Sequence, residues 1–149
     1  MAAEFSANAL QSILPNASAV FTNSPVPAGN NLIFHRDESG VFRLASPSKI
    51  IGGCGGSWNW LYGNCNCCNN MPEALYQVAF HGNIAVPTGG TVEAISMAIA
   101  IDGVVDPSSA MIFTPAAVED FGNIGAEIIV AVPAICGCES VAVVNTSTQ

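Results

Sequence analysis

The sequence predicts an all-β chain, an antiparallel jelly-roll sandwich with a Cys-rich irregular insertion. Three observations carry this. Apolar residues recur at a spacing of two over several short segments, Gly and Pro punctuate those segments at short intervals, and no stretch keeps a convincing helical period. Two four-stranded antiparallel sheets packed face to face account for the number of segments. At 149 residues the chain is the size of one ordinary domain, and such a domain buries roughly 70% of the surface its unfolded chain exposes. Hydrophobic residues make up 50% of it, which excludes disorder from low hydrophobicity.

Residues 1–30 are rich in Ala, Asn, Ser and Pro and read as an N-terminal arm or linker with a first short strand; residues 31–149 form the sandwich. Pro15, Pro25 and Pro27 confine any helix in the arm to residues 6–14. Residues 31–36 and 41–45 are strands flanking Asp37-Glu38-Ser39-Gly40, a hairpin-length loop in which Gly40 is available for a positive φ. Residues 46–72 are a Cys/Gly/Trp-rich insertion, too long for an idle loop unless it is tied down or functional. Residues 74–86 follow as a long strand with Tyr76, Val78 and Phe80 on one face, and Pro87-Thr88-Gly89-Gly90 turns the chain. In residues 92–101, Ile95, Met97, Ile99 and Ile101 line one face and Ala94, Ser96, Ala98 and Ala100 the other. Asp102-Gly103 and Asp106-Pro107-Ser108-Ser109 are turns, and residues 111–114, 126–132 and 139–144 are the remaining strands.

Charge narrows the function. Charged residues are only 9% of the chain, with 11 acids against 3 bases and a formal net charge of −8. Arg36, Arg43 and Lys49 are the only cations, too few to replace the counterions of a nucleic acid or to hold an anionic membrane surface. Residues 1–5 carry no positive n-region, and no apolar run approaches 18 residues, so neither a signal peptide nor a membrane-spanning helix is expected. A surface this poor in charge is weakly protected against association. The chain is therefore expected to bury apolar area against copies of itself. The small residues Ala94, Ser96, Ala98 and Ala100 offer a flat face for that contact, or equally the inner face of a tight sandwich, because an obligate interface resembles a core.

Six cysteines are the sharpest local feature: Cys54, Cys65, Cys67, Cys68, Cys136 and Cys138. Their spacing fits disulfides that staple the insertion to the turn before residue 139 or to another subunit, a thiolate site for zinc or another soft metal, or reduced thiols. The usual Cys-x-x-Cys knuckle is absent. Apart from that zinc reading no cofactor is expected. Trp58, Trp60 and Tyr62 can stack on sugar rings as a binding loop or plug a sheet edge. No catalytic set is visible. His35 and His81 fall inside strand patterns, Glu119-Asp120 reads as a solvated turn, and there is no nucleophile elbow, phosphate loop or metalloprotease motif.

Residues 76–91, with 99–103, 114–118 and 141–147, resemble small structural proteins of tailed phages and prophages of gut bacteria. The opening, residues 6–11 with Pro15-Asn16 and Val20-Phe21, is similar too. Those proteins resemble the trimeric jelly-roll domains of the tumour-necrosis-factor and collagen-like spore-surface type. The resemblance implies a homotrimeric virion component, a capsid decoration protein or head fibre that meets the major capsid protein, made in the bacterial host cytoplasm. Two other readings stand beside it: a subunit of a disulfide-linked extracellular fibre, as in spore appendages, and a module binding host glycans through Trp58, Trp60 and Tyr62. The insertion at 46–72 is longer than the resemblance implies and takes no role from it.

Overall fold

The computed structural model describes residues 2–28, 32–36, 38–46, 73–133 and 138–148. Ten strands run through them: β1 (Glu4–Ser6), β2 (Asn23–Val26), β3 (Ile33–His35), β4 (Val41–Ala45), β5 (Ala74–Ile84), β6 (Ile95–Ile101), β7 (Val104–Val105), β8 (Met111–Phe113), β9 (Gly122–Val132) and β10 (Cys138–Asn145). Every pairing between them is antiparallel. The described residues hold no α-helix, only a 3-10 turn at Pro107–Ser109. The expected all-β, antiparallel class is observed.

Strict alternation builds the longest unit. β5 and β9 pair without a slip from Ala74↔Val132 to Ile84↔Gly122. One face carries Tyr76, Val78, Phe80, Ile124, Ile128 and Val130, and the other carries Leu75, Gln77, His81, Glu127 and Ile129. Because successive side chains in a strand alternate sides, this ribbon presents one apolar face inward. There it meets the second sheet, ordered β3-β4-β10-β6-β7 with β8 also on β6. Leu44, Met97, Ile99, Met111, Val141 and Val143 of that sheet form one buried cluster with Ile124, Ile128, Val130 and Val132 of the ribbon.

β6 lies inside its sheet, with β10 on one side and both β7 and β8 on the other. Its near-continuous apolar run, Ile95–Ile101, is the signature of such an interior strand. β7 pairs with residues 100–101 and β8 with residues 95–97, which leaves the main chain of Ile99 between them. Ser109 fills that gap. The Ile99 amide donates to Ser109 Oγ at 2.8 Å, Ser109 Oγ donates to the Asp106 carbonyl at 2.8 Å, and the Asp106 amide donates to the Ile99 carbonyl at 2.9 Å. Ser109 is 1% exposed, so Ser109→Ala strands a buried amide. We expect it to lower unfolding free energy by about 1–3 kcal/mol, read from urea midpoints, with Ser109→Thr less damaging than Ser109→Ala.

The N-terminal segment joins the sheet as well. The Asn16 and Ala19 amides donate to the Asn145 and Val143 carbonyls at 2.9 and 2.8 Å, extending the β4 side of β10. The buried Asn145 side chain donates to the Ile13 carbonyl at 2.7 Å. Phe5, Phe21, His35, Phe42 and Phe80 form an aromatic chain that seats β1 on β3 and β4, with the His35 and Phe42 rings stacked 4.5 Å apart.

Several expectations need correction. The strand anticipated from residue 92 begins at Ile95, and the one anticipated from residue 126 begins at Gly122. β2 and β7 are not among the strands the sequence predicts; β2 tolerates Pro25 because, among the described strands, it pairs with β1 alone. In the β3–β4 loop the positive φ falls on Glu38 (62°), not on Gly40. The Asp102-Gly103 turn is as read: both residues have positive φ (49° and 79°), as a two-residue hairpin turn requires.

Candidate functional site

Register places the small residues of β6. Val141, Val143 and Asn145 face the ribbon together with Ile101, Ile99 and Met97, so their neighbours face the other way. Ala142 stands opposite Ala100 and Val144 opposite Ala98, while Val105 flanks Ala100 from the far side. β4 adds Val41 beside Ala142 and Arg43 beside Ser140, and β8 adds Ile112 beside Ser96. The outer face of the sheet is thus apolar and small at its middle. Ala98 and Ala100 are only 1% and 3% exposed, low between larger neighbours. The result is a groove of about 360 Å³, with Val41, Ala100, Val105, Ala142, Val144 and Thr146 among its walls.

Of the residues expected to form a contact face, Ser96, Ala98 and Ala100 lie here, on the side away from the ribbon. Ala94 precedes β6 and is exposed. Their partners Val41, Arg43, Val105, Ala142 and Val144 were not singled out from the sequence. The signal was present in residues 141–144, Val-Ala-Val-Val, which are apolar on both faces. A strand apolar on both sides is normally covered on both. β9 reaches β6 from the ribbon side.

A polar clasp borders the groove. Asp102 Oδ1 accepts from the Ser140 amide at 2.7 Å and the Ser140 hydroxyl at 2.9 Å. A hydrogen bond from the Glu139 side chain, then those from Ser140, and the charge of Arg43 hold the Asp102 carboxyl below its ordinary range. The same bond to Asp102 pushes Glu139 up. A lowered carboxyl stabilises the fold above its unfolded pKa and loses that contribution as pH falls through the lowered value. A raised carboxyl stabilises it below its unfolded pKa and loses that contribution as pH rises through the raised value. Stability from this pair therefore peaks between the two titrations. Glu139→Gln, whose amide still donates to Asp102, is expected to remove the loss on the alkaline side, seen as a flatter urea midpoint across mildly acidic pH. Both groups are largely solvated, so the effect is small.

The other candidates separate. His35 Nε2–H donates to the Ser39 carbonyl at 2.8 Å and is built into the aromatic chain. His81 is exposed on the outer face of the ribbon, opposite Gly125. The carboxylates of Glu119 and Asp120 accept from Thr88 Oγ1 and the Ala116 amide at 2.6 and 3.0 Å, which makes that pair part of the turn. Cys138 is exposed at the head of β10. Nearby, Tyr76 donates its hydroxyl to the Ala45 carbonyl, and burial, with the charge of Cys138 second, pushes that phenol up. Cys54, Cys65, Cys67, Cys68 and Cys136, with Trp58, Trp60 and Tyr62, lie outside the described residues. Among the described residues no three His, Cys, Asp or Glu side chains converge as a metal site.

No family model, curated protein or solved structure matches the chain.

Proposed function

We propose that this chain is a non-enzymatic structural protein of a phage particle, a homotrimeric capsid decoration or head-fibre subunit built as a jelly-roll sandwich. One observation carries the self-association: β6 and β10 are apolar on both faces, and the outer face is bordered by the exposed side chains of Val41, Val105 and Ile112 around the half-buried Ala142 and Val144. Large apolar side chains stand exposed as well, among them Leu75, Phe34, Val104, Ile112 and Ile129. With charged residues at 9% of the chain, little else opposes association. The phage setting and the threefold state rest on the resemblance of residues 76–91, 99–103, 114–118 and 141–147.

Light scattering after size exclusion at micromolar concentration tests the reading. The expected species has three times the 15.3 kDa chain mass and survives reductant. A stable monomer overturns it. Masses that ladder and collapse with reductant favour the disulfide-linked fibre instead.

A further inference from the structure

The self-association just proposed leaves open which surface of a second copy fills the groove; on that reading, we propose that the outer face of the β5–β9 ribbon of one copy docks on the groove face of the next, with Glu127 meeting Arg43 and Ile129 entering the groove. Three observations select this occupant.

Charge is the first. A chain of net charge −8 with 3 cations gains most from a contact in which a cation of one copy meets an acid of the next. Arg43 is that cation. It is exposed on the groove face, beside Ser140, and no described residue forms an ion pair or hydrogen bond with its guanidinium. Asp102 feels its charge, but Ser140 already occupies that carboxylate. On the ribbon face Glu127 is exposed, and among the described residues its hydrogen-bond partner is the neutral amide of Gln77.

Spacing is the second. Glu127 and Ile129 are two residues apart on one face of β9, as Arg43 and Val41 are on β4. Two strand residues span about 6.7 Å in both cases. With β9 of one copy laid along β4 of the next in opposite chain directions, a carboxylate placed on Arg43 sets Ile129 beside Val41, at the groove wall.

Shape is the third. Ile129 and Leu75 are 62% and 68% exposed and lie diagonally across the ribbon, with Ala131 opposite Leu75 and Gln77 opposite Ile129. They form an apolar ridge. The groove has a floor of alanines and a volume of about 360 Å³, enough for aliphatic side chains.

The two faces lie on opposite sides of the layered body, so the contact is head-to-tail. Such a contact closes into a ring where successive copies turn enough and otherwise runs on as a filament.

Charge reversal in the full chain tests the contact. By sedimentation at low salt, Arg43→Glu and Glu127→Arg are each expected to weaken association about tenfold or more, and the double variant to recover to within about threefold of wild type, the pattern of a direct charge pair. Both sites are exposed, so circular dichroism should stay unchanged. Association that ignores both reversals, or a double variant no better than either single, overturns the contact while self-association stands. A wild-type monomer overturns both. Assembly size bears on the threefold state alone: three copies keep it, and an open series of masses removes it.

Discussion

Ile99→Ala should lower unfolding free energy by about 2–5 kcal/mol, the range for deleting a large buried aliphatic side chain. Ile99 is 0% exposed and lies in the cluster shared by the sheet and the ribbon. Its position is also hard to relax. The Ile99 amide and carbonyl are held by Ser109 and Asp106, and β10 pairs with β6 along the other edge, with Ala98 opposite Val144 and Ala100 opposite Ala142 on either side of Ile99. A strand pinned on both edges cannot move inward to fill a void, so the loss belongs near the upper end of the range. For a domain of this size that corresponds to melting lower by roughly 5–15 °C. Protein concentration must be held fixed, because association stabilises the folded state by mass action. Ile112→Ala is the matching control. Ile112 is 69% exposed, and the same kind of truncation there should change monomer stability by no more than about 0.5 kcal/mol. Equal losses at the two positions would mean that the sheet does not bury the Ile99 side of β6.

What could be read from the chain, and what could not, divides along physical lines. β5 was legible because its residues alternate over eleven positions, and period two is a property of the strand alone. β7, two residues long, and β2, Asn-Ser-Pro-Val with all four residues exposed, carry no such pattern; pairing partners make them strands. The candidate face was legible in part. The parity of Ser96, Ala98 and Ala100 is visible in β6, but which side of an apolar strand meets the core depends on register with β10, some 45 residues away, through pairs such as Val143↔Ile99. No local period encodes that. Arg43 and Val41 join the face through β10 for the same reason. Asp102 and Gly103 were legible as a turn because side-chain chemistry and backbone geometry coincide there.

Gly40 was legible as a glycine and misread as to cause, and that difference yields the second large effect. Gly40→Ala should lower stability by about 1–3 kcal/mol, the usual cost of overpacking. Gly40 is buried, and a Cβ built on it would lie 2.3 Å from Ser18 Oγ, 2.8 Å from Ser18 Cβ and 2.6 Å from the Ala19 carbonyl oxygen. The hydroxyl can rotate away, but the other two atoms cannot move without the chain. Residues 16–19 would have to lift from β10, which strains the bonds from Asn16 to the Asn145 carbonyl and from Ala19 to the Val143 carbonyl. The buried Asn145 side chain would then lose its hold on Ile13 as well. The missing side chain of Gly40 therefore serves close approach of two chains rather than an unusual φ. Ser18→Gly in the Gly40→Ala background removes two of the three close atoms and should recover part of the loss, with the Ala19 carbonyl holding back the rest. Amide exchange at Asn16 and Ala19 reports the same event, faster in Gly40→Ala and partly slowed again in the double variant. Unchanged stability and exchange in Gly40→Ala would mean that residues 16–19 do not seat against β4 and β10.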